Sequence, residues 1–217
     1  MPPKRLILFS GLGGDHRLTE PIRIPGVDVL TPDHLPPEEG EDLPRYAARV
    51  ADHNGVGAGD AVGGASFGGM IAAEIAKQRR ISALILLGSC VRPESLPASY
   101  RRLESVGAFI PDWALGLRSL RPLIRWRFAP TTPEAVEILA AMAESCPMSQ
   151  IRRFGRMLMS WDGASGFSCP VLAIHGDRDR IIPVECAEPG PRLKNAGHSF
   201  TLTHAAETSA AIAAFLK

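Results

Sequence analysis

Gly64-Ala65-Ser66-Phe67-Gly68 decides how this chain is read. A serine with glycine two places before and two places after it has the composition of a sharp turn from a strand into a helix. The crowded backbone of such a turn leaves no room for side chains at the two glycine positions, and the hydroxyl projects at the carboxyl end of the strand with the helix N-terminus beneath it. An apolar pair, Ala61-Val62, precedes the turn, although Asp60-Ala61-Val62-Gly63 is poor in β-formers. After it comes Met70-Ile71-Ala72-Ala73-Glu74-Ile75-Ala76, a helix of small residues able to pack closely. A glycine-rich loop that only packs a helix on a strand would have the same composition, so the motif needs context.

That context is a regular alternation. Leu6-Ile7-Leu8-Phe9 and Ile81 to Leu87 are short, continuously apolar runs, as expected of strands buried on both faces of a parallel sheet. Val27-Asp28-Val29-Leu30 is a further strand candidate, stopped by Thr31-Pro32-Asp33, and Val171-Leu172-Ala173-Ile174 is the C-terminal counterpart. Pro44 opens a helical pattern with Leu43, Tyr46, Ala47 and Val50 on one stripe and Gly55 just past its end. The last helix is alanine-rich, from about Ala205 to Leu216. Strand and helix alternate at both ends, which predicts an α/β fold with helices on both faces of a parallel sheet. The middle differs: residues 91–160 carry no strand signal. There Thr132-Pro133-Glu134 starts a helix with Val136, Leu139, Ala140 and Ala143 facing inward, and a second helical stripe runs through Ile151, Phe154, Met157, Leu158 and Trp161. The spacing predicts one domain of residues 1–217 with an all-helical cap inserted over 91–160.

Composition removes several function classes. Lysine and arginine total 24 against 23 acids, a net charge of +1, so no basic face for nucleic acid is expected. No run reaches the roughly 18 apolar residues of a membrane span, and Leu6 to Phe9 is too short for a secretory core. The four cysteines, Cys90, Cys146, Cys169 and Cys186, are widely spaced with no CxxC, consistent with reduced, inert thiols in a cytoplasmic protein. No motif of metal-ligand spacing occurs, and neither a metal nor a cofactor is expected. Gly11-x-Gly13 has the start of a dinucleotide fingerprint, but the sixth position is His16, and Pro21 and Pro25 leave no room for the helix that would hold a pyrophosphate.

Two further motifs follow the serine. One is Gly176-Asp177-Arg178-Asp179-Arg180-Ile181-Ile182-Pro183, directly after the Val171 strand; the other is Ala196-Gly197-His198, before the closing helix. Nucleophile, acid and histidine in that order, each at its own strand or helix end, resemble the α/β-hydrolase family. The resemblance covers the chain from Leu6 onward, apart from the variable middle. It implies a three-layer α/β/α hydrolase fold. Because the chain starts at the strand that comes third in the family, it implies a sheet of about six strands. It also implies Ser66 as nucleophile, His198 as base and Asp179 as the acid, with Asp177 the competing carboxylate, favoured here as a turn-stabilising residue. The glycine-rich loop Ser10-Gly11-Leu12-Gly13-Gly14-Asp15-His16 stands where the family resemblance places an oxyanion loop, with the Leu12 and Phe67 N–H groups as its donors. Gly11, Gly13, His16 and Met70 are the candidate substrate contacts. Phe67 and Met70, with Phe109, Trp113, Trp126 and Met148, are candidates for an acyl pocket or for core packing.

The remaining histidines have plainer readings. His34 and His53, in loop and helix-end settings, are expected to be solvated. His175, inside a strand end, is expected to be a hydrogen-bonded structural residue, and His204 to cap the last helix. The middle block holds ten arginines against six acids; these would suit an anionic substrate, such as a carboxylate-bearing or CoA-type ester, or else form a solvated face. The implied activity is hydrolysis of a small carboxylic ester or thioester through an acyl-enzyme, the partner being that small molecule. Lyase-like or C–C-bond-cleaving chemistry, or a non-catalytic receptor for a small ligand, is the alternative on the same fold. Only 19 positions separate Asp179 from His198. That leaves little room for a helix between the last two strands and one sheet edge bare, which a homodimer would cover.

Overall fold

The computed structural model describes residues 3–96 and 121–217. Six parallel strands form one sheet: β1 (Arg5–Phe9), β2 (Asp28–Leu30), β3 (Ala61–Ala65), β4 (Ala83–Leu87), β5 (Val171–Gly176) and β6 (Arg192–Leu193), in the order β2-β1-β3-β4-β5-β6. The expected strands are present, and the unpromising β3 is central. Its small residues are a packing requirement. A Cβ on Gly63 would lie 2.6 Å from Ile85 Cβ on β4, so bulky β-formers do not fit between β1 and β4.

Alternating residues feed the two faces. Ile7, Phe9, Val62, Leu84, Leu86 and Ala173 pack into a cluster with α1 (Leu43–His53) and α2 (Phe67–Gln78). Leu6, Leu8, Ala61, Ile85, Leu87, Leu172 and Ile174 pack on the other side against Ile212 and Leu216. Continuously apolar strands are thus explained, because every residue faces one of two helical layers.

Among the described residues, three further helices lie between β4 and β5: α3 (Arg121–Arg127), α4 (Pro133–Ser145) and α5 (Met148–Met159). The Thr132 hydroxyl accepts from the Ala135 N–H and caps α4. On α4, Val136, Leu139 and Ala140 are buried, and Phe154, Met157 and Leu158 are buried on α5, as their stripes predict. The chain closes with α6 (Phe200–Thr203) and α7 (Ala205–Phe215). The β5–β6 connection holds a single 3-10 turn, Val184–Cys186, and no α-helix. Among the described residues no helix is long and apolar enough to cross a membrane. The four cysteines are free thiols, and burial pushes the Cys90 thiol up to about 12.

Candidate active site

The site sits at the carboxyl ends of β1, β3, β4 and β5. At the β3–α2 junction Ser66 adopts φ 52° and ψ −118°, a backbone state costing about 1–3 kcal/mol for a residue with a Cβ. The surroundings hold it there. Its N–H donates to Leu87 O at 2.9 Å, and its carbonyl accepts from the Gly69 N–H at 3.0 Å and the Ser89 hydroxyl at 2.6 Å. A Cβ on Gly64 would lie 2.6 Å from the carbonyl oxygens of both Gly68 and Phe9, and one on Gly68 would collide with the Phe9 and Ser10 carbonyls. Both glycines are therefore steric necessities of the turn.

Asp179 leaves the end of β5 in a turn. Its Oδ1 accepts from the N–H groups of Ile181, at 2.7 Å, and Ile182, at 3.0 Å. Its Oδ2 lies 2.6 Å from His198 Nδ1. The carboxylate is an acceptor, so Nδ1 carries the proton and the Nε2 lone pair is free. Burial pushes the Asp179 carboxyl up. The His198 charge and hydrogen bond, with the two N–H donors, outweigh this and hold it below the usual carboxylate range. The pair rests on a bare backbone. A Cβ on Gly88, at φ +54°, would stand 3.5 Å from both Asp179 Oδ2 and His198 Nδ1. Asp177 is not part of this pair; its Oδ1 accepts from the Ala196 N–H at 3.2 Å and steadies the loop that carries His198.

Ser66 and His198 open into the same cavity of about 260 Å³. No hydrogen bond joins the Ser66 hydroxyl to His198 among the described residues, a gap common in ligand-free hydrolytic sites. Gly11, Leu12, Gly13, Phe67 and Met70 line the cavity. A Cβ on Gly11 would lie 3.5 Å from Ser66 Cβ, so the loop after β1 abuts the serine. Phe67 begins α2, where the N–H has no intrahelical acceptor. Neither its N–H nor that of Leu12 donates a hydrogen bond among the described residues. The rest of the wall is apolar: Ile124 and Phe128 from α3 and its end, Leu139, Met142 and Ala143 from α4, Ile151 and Leu158 from α5. No lysine, arginine, aspartate or glutamate lines it among the described residues.

Several expectations need correction. His16 does not line the cavity; its N–H and its Nδ1 both lie 2.9 Å from Asp33 Oδ1, which turns the ring outward. Trp126 is 61% exposed and Met148 is also outside the cavity wall; Phe109 and Trp113 lie outside the described residues. The arginines of the middle block do not reach the cavity where they are described. Arg121 pairs with Glu137 and Glu144, Arg92 with Glu188, and Arg153 donates to the Pro37 carbonyl. His204 occupies the N-cap position of α7 without a side-chain cap bond, its Nδ1 lying 2.8 Å from Thr203 Oγ1 instead. His34 is half-buried rather than solvated: its ring is tucked against Phe67 and Phe154, with Nε2 facing the Ser10 and Gly11 carbonyls. His175 is fully buried, yet neither ring nitrogen has a hydrogen-bond partner among the described residues.

Only one group of three potential metal ligands occurs among the described residues, Asp15, His16 and Asp33. Asp15 is already held by the Arg17 guanidinium, with Nε at 2.9 Å from Oδ1. A cation there would have to displace another.

The sequence missed Ile124 and Phe128 as cavity residues, having no strong periodicity around them. Leu139, Ala143, Ile151 and Leu158 were on the predicted inward stripes, and the cavity lies where those stripes end.

Known proteins place this architecture. The chain is similar to an esterase from Thermogutta terrifontis, at 21% identity and a TM-score of 0.80 over 98% of this chain and 89% of that one. It is similar to an enol-lactonase from Burkholderia xenovorans, at 15% identity and a TM-score of 0.78, covering 100% and 92%. It is also similar to a bromoperoxidase from Bacillus anthracis, at 19% identity and a TM-score of 0.74, covering 99% and 92%. No curated protein matches it. Residues 6–211 match the profile described as the Alpha/beta hydrolase family, and with the six-stranded parallel sheet and its two helical layers in place the chain belongs to that family.

Proposed function

We propose that the chain is a serine hydrolase that cleaves a small carboxylic ester or thioester through an acyl-enzyme on Ser66. The observation that carries this reading is the buried Asp179–His198 pair, 2.6 Å apart, whose imidazole shares one cavity with a strained serine. His198 Nε2 takes the Ser66 proton as Oγ bonds to the substrate carbonyl carbon. The carbonyl oxygen, now an anion, meets the Leu12 and Phe67 N–H groups; one such donor is worth about 3–4 kcal/mol at the transition state. Collapse of the tetrahedral intermediate breaks the bond to the alcohol or thiol, which leaves with the proton from His198. Water then attacks the acyl-enzyme, giving its proton to His198; the bond from Ser66 Oγ to the acyl carbon breaks, His198 returns the proton to Oγ, and the carboxylic acid departs. Asp179 stays ionised and stabilises the imidazolium.

Helices α3, α4 and α5 act as a lid inside a single hydrolase domain. Ile124, Phe128, Leu139, Met142 and Ile151 on the cavity wall support that role. They also favour an uncharged, apolar acyl group over the anionic substrate that the arginine count suggests. Because a lactone is a cyclic ester, it belongs in the same substrate panel.

A fluorophosphonate probe should label Ser66 in the wild type, and Ser66→Ala should lose labelling and more than about 10³-fold of ester turnover. An unlabelled Ser66 in folded protein overturns the hydrolase reading. Labelling without turnover of any ester, thioester or lactone would move the assignment to C–C bond cleavage.

A further inference from the structure

His34 lies in the segment after β2, remote in sequence from every residue of the site. Its Nε2 is 3.1 Å from Ser10 O and 3.2 Å from Gly11 O. Both are acceptors, so Nε2 carries the hydrogen and the ring is the Nε2–H tautomer. The ring is fixed from three sides. Its centroid lies 5.1 Å from that of Phe154 on α5 and 6.1 Å from that of Phe67, and Tyr46 on α1 donates to the adjoining Leu35 carbonyl at 3.0 Å. Burial pushes the imidazole down in pKa, so it remains neutral around pH 7.

The Gly11 carbonyl and the Leu12 N–H are the two ends of one peptide unit. That unit is planar and trans, so its oxygen and its hydrogen point in opposite directions. The oxygen is held twice, by His34 and by the Gly14 N–H at 3.0 Å. Fixing it therefore fixes the direction of the Leu12 N–H, which has no acceptor among the described residues and belongs to a residue on the cavity wall. Two donors on the carbonyl also polarise the peptide and strengthen its N–H as a donor.

We propose that His34 is a positioning residue for ester cleavage, aligning the Leu12 N–H with the developing oxyanion through its hydrogen bond to the Gly11 carbonyl. This rests on the Ser66 acyl-enzyme reading and adds to it a group that never touches substrate. His34→Phe keeps an aromatic ring in the cluster and removes the donor; His34→Gln keeps an N–H donor and removes the ring. For His34→Phe the expected result is a fall in kcat of about 10- to 100-fold with KM little changed. Affinity for a trifluoromethyl ketone, whose adduct carries the oxyanion, should fall by the same factor. His34→Gln should recover most of both.

Equal kcat in His34→Phe and wild type overturns the proposal, as does equal loss in the two variants while both melt cooperatively. Should His34→Phe not fold, His34→Met and His34→Gln, similar in length and differing in the donor, decide by the same comparison. Fluorophosphonate labelling of the wild type separates the two levels. An unlabelled wild type refutes the acyl-enzyme; a labelled wild type with an indifferent His34 refutes only the positioning role.

Discussion

His175 shows how much a single buried side chain can weigh. It is fully enclosed on β5 with both ring nitrogens unpartnered among the described residues, and burial lowers its pKa from the ordinary 6.5 to about 4. Between those two values the unfolded chain binds a proton that the folded chain refuses, so stability rises with pH across that window. The contribution is complete above pH 6.5 and falls away as pH drops towards about 4, amounting to about 3 kcal/mol. His175→Leu should flatten this loss, read as the urea midpoint at pH 7 against pH 4.5. His34, also pushed down by burial, keeps part of the slope in that variant. Asp179 works at the opposite end. Its carboxyl is held low, so its share of stability is present above the ordinary carboxylate value and is lost only as pH falls through its own lower one. The sequence placed His175 inside a strand end but offered no sign that its ring nitrogens lack partners, and none of the setting of His34. The run around His34, Thr31-Pro32-Asp33-His34-Leu35-Pro36-Pro37, has the composition of a surface loop. What encloses it are Tyr46, Phe67 and Phe154, brought in from three separate helices.

Elements were more legible than single side chains, because periodicity averages over many residues. The inward stripes of α4 and α5 were readable from 3.6-residue spacing, and the strands from unbroken apolar runs. Helix starts were marked in the sequence by Pro44 and by Thr132-Pro133-Glu134, and in the structure Asp42 accepts from the Arg45 N–H at 2.9 Å and caps α1. Asp42→Ala should cost about 1 kcal/mol, seen in the denaturant midpoint at constant m, and leave kcat unchanged. On α4 the face formed by Leu139, Met142 and Ala143 closes the cavity. Ala143→Trp fills that space, so an ester series should show its optimum shifted to shorter acyl chains, with KM for the longer ones raised several-fold. What element reading could not supply was the cavity's outline, which depends on where three helices and two loops meet.

At the scale of the whole molecule, the decisive information lay in order along the chain. Serine, acid and histidine each follow a strand or precede a helix, and a parallel sheet brings all such ends to one side. Gly64, Gly68 and Gly88 permit the close approaches that result. The same assembly has a bearing on what happens after the chemistry. Hydrolysis converts a neutral ester into an anionic acid, and it does so in a chamber whose described wall carries no lysine or arginine to pair with the new charge. A carboxylate in such surroundings is better solvated outside, so each turnover tends to eject its own waste. Free acid at about tenfold the KM of the matching ester should therefore compete poorly in initial-rate assays near neutrality, while the uncharged alcohol analogue of the same chain should compete well.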